Sequence, residues 1–147
     1  MFKWSQYFMN IAKETALLSK DTKTKVGAVL VKNKKIKSIG YNGAPKSFPD
    51  PLVPPDNHGE RLVHKKSTFM CHAELNALLN YDGKISDLDG ADIYITLSPC
   101  TNCAKMLAQI GIKNVYFLEE YHKEEETEAT EYIFNTCNIN YNKFIEE

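Results

Sequence analysis

The chain has 147 residues, 43% of them hydrophobic and 25% charged, with a formal net charge of −1. That length suits one domain whose core needs no disulfide staples, and a charge near zero argues against a general nucleic-acid coat or a membrane-surface binder. The longest apolar run, 26–31, is far short of the ~20 residues of a membrane span, and the first ten residues lack a signal core with a cleavage site, so a cytoplasmic protein, neither secreted nor membrane-bound, is expected.

In chain order, Trp4, Tyr7, Phe8, Ile11, Thr15 and Leu18 recur at helical spacing and predict an amphipathic helix over 4–19. Residues 26–31 and 35–41 read as two strands joined by the turn Lys32-Asn33-Lys34, a hairpin. Residues 42–66 hold five of the six prolines and two of the four histidines. They predict a long irregular loop, of the kind that inside compact domains usually carries function. A helix over 71–80, a polar turn through Gly83 and Gly90, and a strand over 93–97 follow. The next helix starts at Pro99 and ends at Gly111, followed by a strand over 114–118, a helix over 125–136 and a last strand over 140–145. Strands alternating with helices imply a mostly parallel sheet covered on both faces. The expectation is an α/β fold, a three-layer α/β/α sandwich with a mixed, mostly parallel five-stranded sheet, forming one domain over 1–147.

Charge is uneven along the chain: residues 1–73 carry 13 Lys/Arg against 5 Asp/Glu, and residues 74–147 carry 5 against 14. Seven lysines fall between Lys20 and Lys37, with Glu124, Glu125, Glu126 and Glu128 as an acidic counterpart. Charge runs are most often solvated faces; the alternative is that the lysine segment meets an anionic ligand.

The cysteines are too few and too clustered for a secreted disulfide scaffold, so C-x-x-C in a chain of this kind reads first as metal or redox chemistry in a reducing compartment. Cys100 and Cys103 sit three apart at a helix start, so both sulfurs lie on one side of the first turn. Backbone N–H groups there favour thiolate over thiol. His72, at the start of another helix, can supply a third ligand. One His and two Cys suit zinc, and three protein ligands leave the fourth tetrahedral position for water, as in catalytic sites. Glu74, two residues on, can take the proton of that water, whose pKa falls from ~15.7 towards ~7, and return it to a substrate. His-x-Glu with Pro-Cys-x-x-Cys is the pattern of zinc-dependent base deaminases. A redox pair and half of a structural zinc site are the rival readings of C-x-x-C. Cys71 points about 100° away from His72 around the helix and reads as a small buried hydrophobe; Cys137 reads as core.

At these residues the chain resembles the deoxycytidylate (dCMP) deaminase family of the cytidine deaminase superfamily. Matching pieces run from Tyr7-Phe8-Met9 and Val26-Gly27-Ala28 through Gly40-Tyr41-Asn42-Gly43-Ala44-Pro45 and Cys71-His72-Ala73-Glu74-Leu75-Asn76-Ala77. They continue through Pro99-Cys100-Thr101-Asn102-Cys103-Ala104-Lys105 and Gly111-Ile112-Lys113 to Tyr121-His122. The resemblance implies hydrolysis of dCMP to dUMP and ammonia for thymidylate synthesis, with Zn2+ on His72, Cys100 and Cys103. Glu74 would carry the proton to ring N3, and Asn42, grouped with Ala73 as substrate-binding, would hold the sugar hydroxyl. The resemblance also implies a homo-oligomer, a dimer or hexamer, with dCTP activating and dTTP inhibiting in many members, Mg2+ accompanying the triphosphate.

Such an effector is expected where Lys23 and Lys25 approach the turn Gly40-Tyr41-Asn42-Gly43, whose glycines let backbone N–H groups reach phosphate oxygens. The substrate 5′-phosphate is expected at Tyr121-His122-Lys123, at the carboxyl end of a strand, with Arg61, Lys65 or Lys66 as alternatives. The family is usually richer in arginine, whereas Arg61 is the only one here. Lysines substitute as point charges and not as bidentate forks. Some members hold a second zinc through N-terminal cysteines and loop histidines; no cysteine precedes Cys71, so His58 and His64 lack those partners and one zinc per chain is expected. The rivals are a deaminase of dCTP or CMP, and a nucleic-acid-editing or -binding module. The basic segment lacks the interleaved aromatics the latter would stack on bases.

Overall fold

The computed structural model describes residues 3–147. Strands β1 (Gly27–Lys32) and β2 (Lys35–Tyr41) pair antiparallel. Asn33 and Lys34, at φ 53° and 59°, make the tight left-handed loop that matches the twist of a two-residue hairpin. Helix α1 (Trp4–Ala16) precedes them. After the long loop come α2 (Ala73–Leu79), β3 (Asp92–Leu97), α3 (Thr101–Ile110), β4 (Asn114–Glu119), α4 (Glu124–Thr136) and β5 (Asn140–Lys143). Short 3-10 turns punctuate the loop and the 83–90 connection. Among the described residues no helix is long and apolar enough to cross a membrane.

The sheet order is β2-β1-β3-β4-β5. β1 runs antiparallel to both its neighbours, while β3–β4 and β4–β5 are parallel. Four strands therefore point one way and β1 alone is reversed, which gathers the carboxyl ends of β2, β3, β4 and β5 at a single edge. Alternation along β1 feeds two cores. Ala28 and Leu30 pack with Ile93, Ile95, Leu107 and Phe134 beneath α2, α3 and α4. Val29 and Val31 pack with Phe8, Met9, Ala12 and Tyr94 beneath α1. The three expected layers are present.

Helix α1 differs in detail from its periodicity. It stops at Ala16, and Trp4 and Leu18, placed on the apolar face by spacing, are 54% and 58% exposed. The buried face is Phe8, Met9, Ala12, Thr15 and Ala16. Close approach selects it: a side chain on Gly27 would collide with the Ala12 carbonyl, so backbone meets backbone there and only small residues fit. Helix α3 likewise starts at Thr101, two residues later than expected, with Cys100 at the N-cap and the buried Pro99 just outside. Cys137, read as core, is exposed at the end of α4, and Cys71 is only half-buried.

Helix α2 is tied to the edge strand. Asn76 and Asn80 donate through Nδ2 to the carbonyls of Tyr41 (2.8 Å) and Ile39 (2.9 Å), and the Ser38 hydroxyl donates to the Ala77 carbonyl. Gly40 lies beneath the helix, where an added Cβ would strike the Ala73 carbonyl and the Ala77 nitrogen. The loop is pinned by a buried ion pair, Lys66 Nζ to Asp21 Oδ1 at 2.6 Å, with side chains 16% and 6% exposed. The same oxygen accepts the N–H groups of Lys23 (2.8 Å) and Thr24 (3.1 Å). Burial pushes the Asp21 carboxyl up, but Lys66 and the two amides outweigh it and leave the pKa below its ordinary value.

Two expectations follow from these contacts. Gly40→Ala should cost about 3 kcal/mol in urea unfolding, the upper end of overpacking because backbone must move; a loss within ~0.5 kcal/mol, as for surface changes, would mean that α2 has slack. Asp21 has a depressed folded pKa, so its stabilisation is complete above its unfolded value of ~3.9 and fades as pH falls through the lower folded value. Asp21→Asn, which leaves Lys66 without its countercharge, should therefore unfold about 3 kcal/mol more easily at neutral pH. The gap from wild type should narrow below about pH 4, measured as urea midpoints at both pH values.

Candidate active site

Two helix N-termini meet at the shared sheet edge. His72 is the N-cap of α2 and Cys100 that of α3, and neither side chain caps its own helix. They turn towards each other: His72 Nδ1 lies 3.3 Å from Cys103 Sγ and 3.5 Å from Cys100 Sγ, and the three ligand atoms fall within 4.8 Å of one another. A tetrahedral zinc with Zn–S of ~2.3 Å and Zn–N of ~2.0 Å would hold nitrogen and sulfur about 3.5 Å apart, so the donor set fits the ion. Among the described residues no further His, Cys, Asp or Glu joins this group. Cys71 is instead fixed by its backbone, in a two-bond bridge with Gly43.

The electrostatics suit a cation. Cys100 is drawn down to about 3, first by the hydrogen bond from the Cys103 thiol and then by His72. That bond and burial push Cys103 up, and the bond to Cys100 raises His72 against the cost of burial. The three side chains thus act on one another, as groups poised to bind a single cation do. Glu74 is 4% exposed, and burial pushes its carboxyl above the usual range, opposed by its own backbone N–H and by His72. A raised carboxyl beside a metal-ligand cluster is suited to taking and giving a proton.

The cluster opens into a cleft of about 310 Å³, in the small-ligand range. Asn42, Ala73, Tyr121 and His122 line it, as do Lys23 and Lys66. Lys123 does not: it is the N-cap of α4, and its side chain is exposed. The Asn42 amide is largely committed to the chain, with Oδ1 accepting from Val26 N and Nδ2 donating to Thr24 O, both at 2.9 Å. One Nδ2 hydrogen is left for a ligand. His122 Nε2 is 2.9 Å from the Ser98 carbonyl, leaving Nδ1 for the cleft.

A second groove of about 1020 Å³ adjoins the first, with Asp21, Lys23, Asn42, Lys66 and Met70 common to both. Tyr41 and Gly43 line it beside Lys20 and Lys46. Gly40 and Lys25 do not. Gly40 packs under α2, the Gly43 N–H already donates to the Cys71 carbonyl, and the Lys25 ammonium donates to the Ser19 carbonyl. The glycine amides are therefore not available to phosphate, and side-chain ammonium groups are what the groove offers.

Sequence reasoning missed the pairing of Lys66 with Asp21, 45 residues apart, and two side chains of α4, Glu126 and Thr130. Thr101 donates to Glu126 Oε1 through its N–H (3.0 Å), and the Thr130 hydroxyl donates to the Pro99 carbonyl (3.4 Å). Glu126 is hidden in an acidic run. The signal that could have found it is the polar Thr130 four residues on, fully buried on the same face of α4.

A family model described as the cytidine and deoxycytidylate deaminase zinc-binding region matches residues 2–119. Human deoxycytidylate deaminase is 39% identical over 145 residues, covering 97% of this chain and 80% of that one. The deoxycytidylate deaminase of Mycobacterium phage D29 is 36% identical over 124 residues, covering 80% and 95%. The crystal structure of dCMP deaminase from cyanophage S-TIM5, in complex with dCMP and dUMP, superposes with a TM-score of 0.75 at 29% identity, covering 98% of this chain and 100% of that one. With its fold, its ligand cluster and these likenesses in agreement, this chain belongs to the cytidine and deoxycytidylate deaminase family.

Proposed function

We propose that this chain, as a single domain, hydrolyses dCMP to dUMP and ammonia. The observation that carries the reading is one cleft holding both halves of the chemistry. A buried proton carrier sits beside three metal-ligand atoms, and two lysines line the same cavity. The likeness to enzymes named for dCMP supports the choice of substrate.

His72, Cys100 and Cys103 would hold the zinc, which when bound supplies Lewis acidity that lowers the pKa of water from ~15.7 towards ~7. Glu74 takes up the proton lost by the attacking water and gives it to ring N3, so that C4 becomes the electrophile. Glu74, again a carboxylate, then takes the proton of the hydroxyl added to C4 and gives it to the 4-amino group, so that C4=O forms as the C4–N bond breaks and ammonia leaves. Burial of Glu74 keeps bulk water from competing for that proton. Asn42 offers its remaining N–H to the sugar, and the backbone N–H of Ala73, in the first turn of α2 with no intrahelical acceptor, is a donor for the ring. The 5′-phosphate is met by Lys23 and Lys66 with Tyr121 and His122, not by Lys123.

The adjoining groove, lysine-lined and sharing a wall with the cleft, favours a second reading of the surface: a nucleoside triphosphate effector there, with Mg2+. A ligand held by Lys23 or Lys66 on one side changes the charge available on the other.

Purified protein assayed on dCMP, dCTP, CMP, deoxycytidine and a single-stranded oligonucleotide should favour dCMP. Equal efficiency on dCMP and deoxycytidine would remove the phosphate assignment, and a better rate on dCTP, CMP or the oligonucleotide would replace the substrate. Glu74→Gln should keep about one zinc per chain and the wild-type circular dichroism while losing ~10²–10⁴-fold in kcat; near wild-type turnover would refute the proton-carrier role. Titrating dCTP and dTTP with Mg2+ into the dCMP assay should raise and lower the rate respectively, and flat rates with both would eliminate the effector.

A further inference from the structure

The turn that carries Cys100 is bonded on both sides of the ligand by one stretch of chain, residues 119–130. Before it, Ser98 is buried and every polar atom it has is engaged: its N–H donates to the Glu119 carbonyl (2.8 Å), its Oγ accepts from Tyr121 N (3.1 Å), and its carbonyl meets His122 Nε2 (2.9 Å). Pro99 is held at its carbonyl by Thr130. Beyond it, Thr101 presents both N–H (3.0 Å) and hydroxyl (3.4 Å) to a single oxygen of Glu126. Residues 98, 99 and 101 are thus fixed, and Cys100 is suspended between them.

We propose that Glu126 is a positioning residue for the metal ligands: by accepting the first N–H of α3 from the neighbouring helix, it sets the direction in which Cys100 and Cys103 present their sulfurs to His72. The capping position at the start of α3 is occupied by Cys100, whose sulfur is turned to the ligand cluster and makes no cap bond. The helix start would otherwise have orphan amides, and a carboxylate brought from α4 satisfies one of them while leaving the ligand free. Glu126 also opposes the positive end of the α3 dipole, and its neighbours in the acidic run make no such bond to the turn.

This inference rests on the zinc reading of His72, Cys100 and Cys103. Its test uses the full chain loaded with Co2+ and compares wild type, Glu126→Ala, Glu126→Gln and Glu125→Ala. The readouts are metal affinity by chelator competition, the sulfur-to-cobalt absorption band, and kcat and KM for dCMP on the zinc form. Glu126→Ala should weaken metal binding by about 10- to 100-fold, as loss of outer-shell partners does, and should move the cobalt band. Its kcat should fall with KM little changed. Glu126→Gln keeps the accepting oxygen and should restore most of the affinity, and Glu125→Ala, which removes the same charge one residue away, should match wild type. Wild-type metal affinity and an unmoved cobalt band in Glu126→Ala would overturn the proposal, whatever happens to its thermal stability, as would an equal defect in Glu125→Ala. A wild-type chain that binds no Co2+ would overturn the zinc reading itself, and this inference with it.

Discussion

Keeping a carboxylic acid in the protein interior beside two sulfurs is the demand around which the rest of this structure is arranged. An unpaired buried carboxylate is costly enough that it protonates or finds partners. Glu74 has its own backbone amide, the Cys103 thiol and the His72 ring at hand. Those partners come from separate helices, so both helix starts must be held in register. The fold does this by reversing one strand. With β1 antiparallel to its neighbours, β2 and β3 send their carboxyl ends to the same edge, and the long loop after β2 and the short turn after β3 deliver α2 and α3 to one point. The ligand sites are where they are because of strand direction, and the helix caps do the final aiming.

Much of this was legible in the residues because it is local. The hairpin follows from two strand-like runs around the polar turn Lys32-Asn33-Lys34, of which Lys32 closes β1 and only Asn33 and Lys34 form the loop, and β2 has its expected bounds, Lys35–Tyr41. That His72, Cys100 and Cys103 gather with Glu74 beside them is legible because spacing places all four at helix starts. What failed to read is non-local. The α1 face was misjudged because spacing favours Trp4 and Leu18, while the contact with Gly27 favours Ala12 and Ala16. Burial was also misjudged at Cys137, where the residue type suggested core and the position, just past α4, left it in solvent.

Charge was the least legible property. The lysines of the basic half read as a field, yet they do unlike things in the fold. Lys66, from the loop, is locked to Asp21; Lys25 is turned back to the Ser19 carbonyl; Lys20 pairs on the surface with Asp50. Exposed pairs such as the last are worth little, whereas the buried pair decides where the loop lies. The acidic run on α4 divides in the same way, with Glu126 turned inward to Thr101 and Glu124, Glu125 and Glu128 left in solvent. Composition counts these residues alike, and only tertiary partners separate a solvated charge from a structural one.

The two asparagines that reach from α2 to β2 have a consequence beyond fixing the helix. A strand at the border of a sheet offers outward carbonyls that another chain's strand can use to extend the sheet. Here the carbonyls of Ile39 and Tyr41 are already taken by Asn80 and Asn76. A newcomer would have to displace two amides, and loosening α2 would disturb the helix that begins at His72. Lateral growth of the sheet through β2 is therefore opposed by the same bonds that steady the start of α2, so one pair of side chains serves both the helix and the border.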